Sequence, residues 1–191
     1  MERTTIAQHI QQLTHCGQRE SSQLAELFLP HPLKPREHLQ LKRDYSRSIF
    51  FLYSGLLHIS QSHYKKDTTP PKTENSTLAI YQPNEFFFLP PTQTEPSLNV
   101  RAIGDSQLYI ADYPRIEQLI HQKTTLIRPY ISLGEQYLKQ TLEHLQLLQL
   151  PTAHQKYQIM QKHFGKRLYL IPYQYQASYI GISRKHLSRI T

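Results

Sequence analysis

The feature that most restricts the fold is a change of hydrophobic period along the chain. Between about residues 37 and 112, apolar residues fall at alternate positions. On either side they fall three or four apart. A period of two turns one face of a strand inward, and a period near 3.6 does the same for one stripe of a helix. The chain therefore sets a block of short strands between two helical blocks, an α+β arrangement.

Ile6, Ile10 and Leu13 share one stripe, which predicts a helix over residues 4–14. A second helix is predicted over Ser22–Phe28, capped by Ser21 or Ser22, with Leu24, Leu27 and Phe28 facing inward. The run PHPLKP then breaks helix and starts extended chain. Strands are predicted around Leu39 and Leu41, and along Ile49, Phe51 and Tyr53. After a bend at Gly55 they continue at Leu57 and Ile59, then at Leu78 and Ile80, Val100, and Leu108 and Ile110. Short strands separated by turn signals predict a β-sandwich or jelly roll. Residues 61–77 contain no large aliphatic side chain and read as a mobile loop, a long hairpin connection. A lid over a ligand is the functional alternative.

Helix returns at Tyr113. Ile131, Leu138, Leu142 and Leu145 form one apolar seam, and residues 129–150 can make a single helix about 30 Å long. Such a seam suits contact with a second helix, either of a partner copy or of this chain's own β-block. Leu147, Leu148 and Leu150 widen it. Pro151 ends the helix and Thr152 can cap the next. The expected division is a first unit over 1–128, a connecting helix over 129–150, and a terminal unit over 151–191.

Composition removes several functions. The six glycines lie at least 16 residues apart, so no phosphate loop, dinucleotide fingerprint or nucleophile elbow is possible. Cys16 is the only cysteine, which excludes an internal disulfide and a Cys-rich metal site. No stretch approaches the roughly 18 apolar residues of a membrane span, and the first residues lack a signal-peptide core, so a cytoplasmic setting with no membrane partner is expected. The 11 histidines form no metal-ligand motif and read as surface residues. Haem ligation by one of them needs little local motif. No catalytic set is visible, and a non-enzyme is expected.

Charge is uneven. The formal net charge is +8, and residues 151–191 contribute +7 of it, with seven Lys and Arg and no Asp or Glu. An acid-free basic block fits a polyanion-binding unit, while a solvated face or an anionic membrane surface would use the same charge. Tyr157, Tyr169, Tyr173, Tyr175 and Tyr179 interleave with these cations and read as packing residues of a small helical unit, with stacking on single-stranded bases as the alternative.

The last residues, YQYQASYIGISRKHLSRIT, read as helix–turn–helix. Ala177 is small where two helices cross, Gly181 supplies a turn, and Ser183 can cap the second helix. Ile180, Ile182, Leu187 and Ile190 supply the buried contacts. Arg184, Lys185, Ser188 and Arg189 are then left on the outer face. A helix fits the major groove of duplex DNA, where Arg can donate two hydrogen bonds to guanine while Lys and Ser hold phosphates.

These residues resemble the Crp/Fnr transcription regulators. ASYIGISRKHLSRI is similar to a signature of the Bacteroidetes-type members, and FFLYSGLLHIS resembles the family's Gly-centred hairpin. The resemblance implies a cyclic-nucleotide-binding-like jelly roll with flanking helices, a long dimerisation helix and a C-terminal helix–turn–helix. It implies double-stranded DNA, a second copy and RNA polymerase as partners. Within its recognition pattern Arg184 and Arg189 match the two arginines, while Lys185 stands where the family often has an acid, so a different DNA sequence is expected. The chain ends at Thr191, so most of a wing is expected to be missing. In the nucleotide-binding members a Gly-Glu pair and an Arg hold the ribose and cyclic phosphate. Here those positions fall near Phe88-Leu89 and Pro96, with Arg101 as the nearest substitute. No cofactor is expected, cyclic AMP and cyclic GMP are expected not to bind, and any other effector is unknown. The resulting expectation is a homodimeric, sequence-specific DNA-binding regulator. The alternative is a ligand-sensing or protein-interaction module that does not bind DNA.

Overall fold

The structure is a computed structural model that describes residues 2–40, 45, 47–65, 72–89 and 98–191. Two helices, α1 (Glu2–Thr14) and α2 (Gln18–Glu26), precede seven strands. The strands are β1 (Leu29–Leu33), β2 (Ile49–Ser54), β3 (Leu57–Lys65), β4 (Lys72–Tyr81), β5 (Glu85–Phe87), β6 (Leu98–Ala102) and β7 (Ser106–Ala111). The chain continues through α3 (Tyr113–Gln122), α4 (Ile127–Gln149), α5 (Ala153–Phe164), α6 (Tyr173–Tyr179) and α7 (Arg184–Ile190).

The strands form two antiparallel sheets, ordered β1-β7-β2-β5 and β4-β3-β6. Alternation explains how they face each other. Phe50, Leu52, Leu108 and Ile110 point from the first sheet towards Leu57, Ile59, Val100 and Ala102 of the second. The space between is occupied by stacked rings, with Phe87 4.1 Å from Tyr81 and 5.1 Å from Phe50 between centroids. The result is a jelly-roll-like β-core. The opposite face of the first sheet, with Ile49, Phe51 and Phe86, is covered by Ile6, Ile10, Leu24 and Phe28 of the N-terminal helices and by Ile116 and Leu133. Gly55 makes the β2–β3 turn at φ +89°, where a side chain would also strike Ser106 Oγ and the Asp105 carbonyl.

Several expectations need correction. The second helix starts at Gln18 behind Gly17, and Ser21 is buried inside it with its hydroxyl donating to the Gln18 carbonyl, so neither serine is the cap. Gln18, Arg19 and Glu20 are adequate helix formers, and no break precedes them except Gly17. The polar stretch 61–77 is largely strand. β3 runs to Lys65 and β4 starts at Lys72, paired from Leu57↔Tyr81 to Lys65↔Lys72. Backbone pairing extends this hairpin without apolar side chains, so hydrophobic alternation does not reveal it. The connection 66–71 lies outside the described residues, as does Leu41. The strand β5 was not expected, because three successive phenylalanines carry no alternation.

The predicted long helix is present as α4 and begins two residues early. Pro129 falls in its first turn, where its missing N–H costs no helical hydrogen bond. Leu147 does not widen the seam. It is buried against Met160, Phe164, Ile180 and Leu187. No described helix is both long and apolar enough to cross a membrane.

Candidate nucleic-acid interface

Thr152 caps α5, accepting from the Gln155 backbone N–H at 3.2 Å. α5 supplies Met160 and Phe164 to a small core completed by Leu168, Ile171, Ala177, Tyr179, Ile180 and Leu187. Ala177 has no exposed surface, as expected where helices cross. Gly181 adopts φ +68° between α6 and α7, and the Ile182 N–H donates back to the Ala177 carbonyl at 3.0 Å. This is a helix C-terminus closed by a residue in the left-handed region, which glycine adopts at least cost. Ser183 Oγ then accepts from the His186 N–H at 3.1 Å and opens α7.

With Leu187 fully buried and Ile190 half-buried, the helical period turns Arg184, Lys185, Ser188 and Arg189 to solvent, and Ser183 is exposed beside them. Among the described residues no carboxylate forms a salt bridge with any of these cations. The helix–turn–helix geometry is therefore present, with its basic side chains directed outward.

The small helical core is fastened to the β-core mainly through α6. Ser178 Oγ accepts from the Thr77 N–H at 2.8 Å. The Tyr175 ring stacks on His58 at 3.7 Å, and Arg101 Nη1 donates to the Tyr175 hydroxyl. His144 of α4 stacks on Tyr179 at 4.2 Å and donates from Nε2 to its carbonyl. Burial, with Arg101 and His38 nearby, pushes the His58 imidazole down to about 4. Burial also lowers His144. The expectation of surface histidines fails for these two, since aromatic stacking and a hydrogen bond satisfy each ring inside the protein. Arg101, the nearest substitute for a phosphate-binding arginine in the sequence, donates to the Arg36 carbonyl and to the Tyr175 hydroxyl. Tyr169 departs from the packing expectation, being 89% exposed.

The seam residues Ile131, Leu138, Leu142 and Leu145 are all exposed, at 49–57%. They do not pack on the β-core. Leu133 does that from another face of α4. Of the expected nucleotide-contact positions, Leu89 is buried in the core between the sheets, Phe88 is half-buried with its ring against Tyr130 and Tyr137 of α4, and Pro96 is outside the described residues. Among the described residues no group of three or more His, Cys, Asp or Glu could hold a metal.

No protein-family profile matches this sequence, and no curated protein matches it. Solved structures do. FixK2 from Bradyrhizobium japonicum is similar at a TM-score of 0.65 with 15% identity, over 85% of this chain and 82% of that one. The catabolite activator protein of Thermus thermophilus gives 0.52 with 18% identity, over 95% and 84%. A cyclic nucleotide-binding domain containing protein from Listeria monocytogenes EGD-e gives 0.60 with 11% identity, over 100% and 88%. The chain has the fold of the Crp/Fnr regulators and of cyclic-nucleotide-binding-domain proteins.

Proposed function

We propose that the protein is a transcription regulator of Crp/Fnr type that binds duplex DNA as a homodimer. The observation that carries this reading is the outer face of α7. Arg184, Lys185, Ser188 and Arg189 are exposed together on a helix whose opposite face is locked by Leu187. The 41 residues around them carry no acid that would repel phosphate. Arg184 and Arg189 would donate to base edges, and Lys185, Ser183 and Ser188 would hold the backbone.

The exposed seam on α4 supports the dimer. Four large apolar side chains at half exposure along one 23-residue helix are what a paired helix would cover. Pairing there would place two copies of α7 symmetrically, as two half-sites require. On this reading residues 1–128 sense, 129–150 pair the copies, and 151–191 bind DNA. Stacking of Phe50, Phe87 and Tyr81 between the sheets supports insensitivity to cyclic AMP and cyclic GMP, since a buried cyclic phosphate without a cation would be costly. The test is binding to genomic DNA fragments by fluorescence anisotropy. Selected fragments should bind more tightly than bulk DNA, and equal affinity for all fragments would refute sequence-specific binding.

A further inference from the structure

Directly after β1, residues Lys34, Pro35, Arg36 and Glu37 make a turn that stands exposed on the β-core. The Glu37 N–H donates to the Lys34 carbonyl at 3.0 Å and closes it. Proline suits the second position of such a turn. The third residue, Arg36, has φ +67°, which makes this a type II turn. That position favours glycine or asparagine, and a long side chain takes it at a cost in free energy. Burial does not explain the choice, because Arg36 is exposed. The surrounding backbone fixes the turn instead. The Arg36 N–H donates to the Ala102 carbonyl and the Ala102 N–H to the Glu37 carbonyl, both at 2.9 Å. The Glu37 carboxylate accepts from the Lys34 N–H at 2.8 Å. An exposed arginine held rigidly in a disfavoured conformation points to a use for its side chain.

The turn is tied to the helix–turn–helix. Arg101 Nε donates to the Arg36 carbonyl at 3.2 Å, and the same guanidinium reaches the Tyr175 hydroxyl, in the first turn of α6, at 3.1 Å. In that same turn of α6 the Tyr173 hydroxyl meets Thr191 Oγ1 at 2.8 Å, just beyond the end of α7. A line of contacts therefore runs from Arg36 to the end of α7 that carries Arg189. Lys34, Arg36 and His38 are exposed at the β-core end of this line, and among the described residues no carboxylate bridges Lys34 or Arg36. The Glu37 carboxylate is turned back on the turn's own backbone. The first helix of a helix–turn–helix crosses the DNA backbone, so a duplex seated on α7 passes α6 as it leaves the half-site.

Resting on the reading of α7 as a DNA-recognition helix, we propose that Arg36, with Lys34, forms a second DNA contact on the β-core and holds backbone phosphates outside the half-site. This contact reads no bases. It adds affinity and counterion release only where the duplex continues past the half-site. It also joins the β-core to DNA directly, not only through the terminal unit.

The test is fluorescence anisotropy of the full chain on two duplexes that share one selected site. One ends at the half-sites, at about 20 bp, and the other carries flanks to about 40 bp. The unmodified chain should bind the longer duplex at least about five-fold more tightly, with a steeper salt dependence between about 50 and 200 mM. Arg36→Gly removes the guanidinium and puts a favoured residue at φ +67°, so the turn is kept and Tm should not fall. It should remove most of the length preference and lower the salt slope on the longer duplex by about one per chain, while affinity for the short duplex stays within about two-fold. Arg36→Lys should restore most of the preference, because a phosphate accepts either cation. No length preference in the unmodified chain, or an equal loss on both duplexes in Arg36→Gly, would overturn the proposal and leave recognition by α7 standing. An unchanged preference in Arg36→Gly would overturn it too, and would leave these cations to an acidic protein partner. Binding to neither duplex would refute the regulator reading and this inference with it.

Discussion

Arg184 and Arg189 are both exposed on α7, near its two ends, with no carboxylate bridged to either among the described residues. Replacing either by Ala should therefore leave folding almost unchanged, because exposed side chains away from caps and cores change stability by only about 0.5 kcal/mol. On an identified DNA site each change should cost about 1–3 kcal/mol, read as a 5- to 150-fold rise in Kd by anisotropy. Ser183 behaves in the opposite way. Ser183→Ala removes the hydrogen bond from the His186 N–H, and a thermal melt should show a loss of about 1 kcal/mol. Residues such as Ala177, Gly181, Ser183 and Leu187 are legible in the sequence because their roles are local. A turn needs a positive φ and a cap needs a short hydroxyl, whatever surrounds them. His58 is not legible in this way. Its importance arises from neighbours 19 or more residues distant, Thr77 and Tyr175, and no spacing rule reports that.

Among the elements, α4 and the β3–β4 hairpin separate what periodicity reveals from what it conceals. The seam Ile131, Leu138, Leu142 and Leu145 is readable as a stripe, but only the fold decides which neighbour it meets. Its exposure shows that this chain's own β-core does not cover it. Leu138→Lys together with Leu142→Lys should convert a dimer to a monomer in sedimentation velocity without unfolding the chain, because neither side chain contributes to a core. A dimer that survives both changes would remove α4 from the interface. The hairpin of β3 and β4 shows the reverse situation. Its polar outer half is held by backbone pairing, so composition alone mistakes it for loop. Gly55→Ala should destabilise the β-core by roughly 2 kcal/mol or more, measured by urea denaturation. The new methyl group would meet the Asp105 carbonyl in a backbone conformation that already disfavours a side chain.

In the molecule as a whole, the terminal unit is joined to the β-core through buried rings, and this gives stability a pH dependence of known sign. His58 is held neutral down to about 4, below its ordinary 6.5, and His144 is shifted the same way. Each contributes stability that is present above about pH 6.5 and is lost as pH falls, because the unfolded chain then binds protons that the folded chain does not. For His58 the loss reaches at most about 3 kcal/mol near pH 4. Glu85 opposes this, since its folded carboxyl stays protonated up to about 7 and its relative contribution increases as pH falls from there to 4.5. Glu85→Gln should therefore steepen the acid-side fall in Tm between pH 6.5 and 4.5, whereas an unchanged slope would contradict the burial of that carboxyl. The fold itself is broadly legible in the order of periods along the sequence, helix then strand then helix. How the terminal unit docks is not, because it depends on contacts such as Ser178 with Thr77, 101 residues apart.

The most direct test of DNA recognition by α7 is an anisotropy titration of the full chain on a fragment selected from genomic DNA. It compares the unmodified protein with Arg184→Ala/Arg189→Ala at 50 and 200 mM salt. The unmodified protein should prefer the selected fragment over a scrambled one by at least a hundred-fold and should weaken steeply with salt as counterions are released. The double variant should lose most of that preference while remaining folded. Equal affinity for both fragments in the unmodified protein, or the same preference in the double variant, would contradict recognition through this helix.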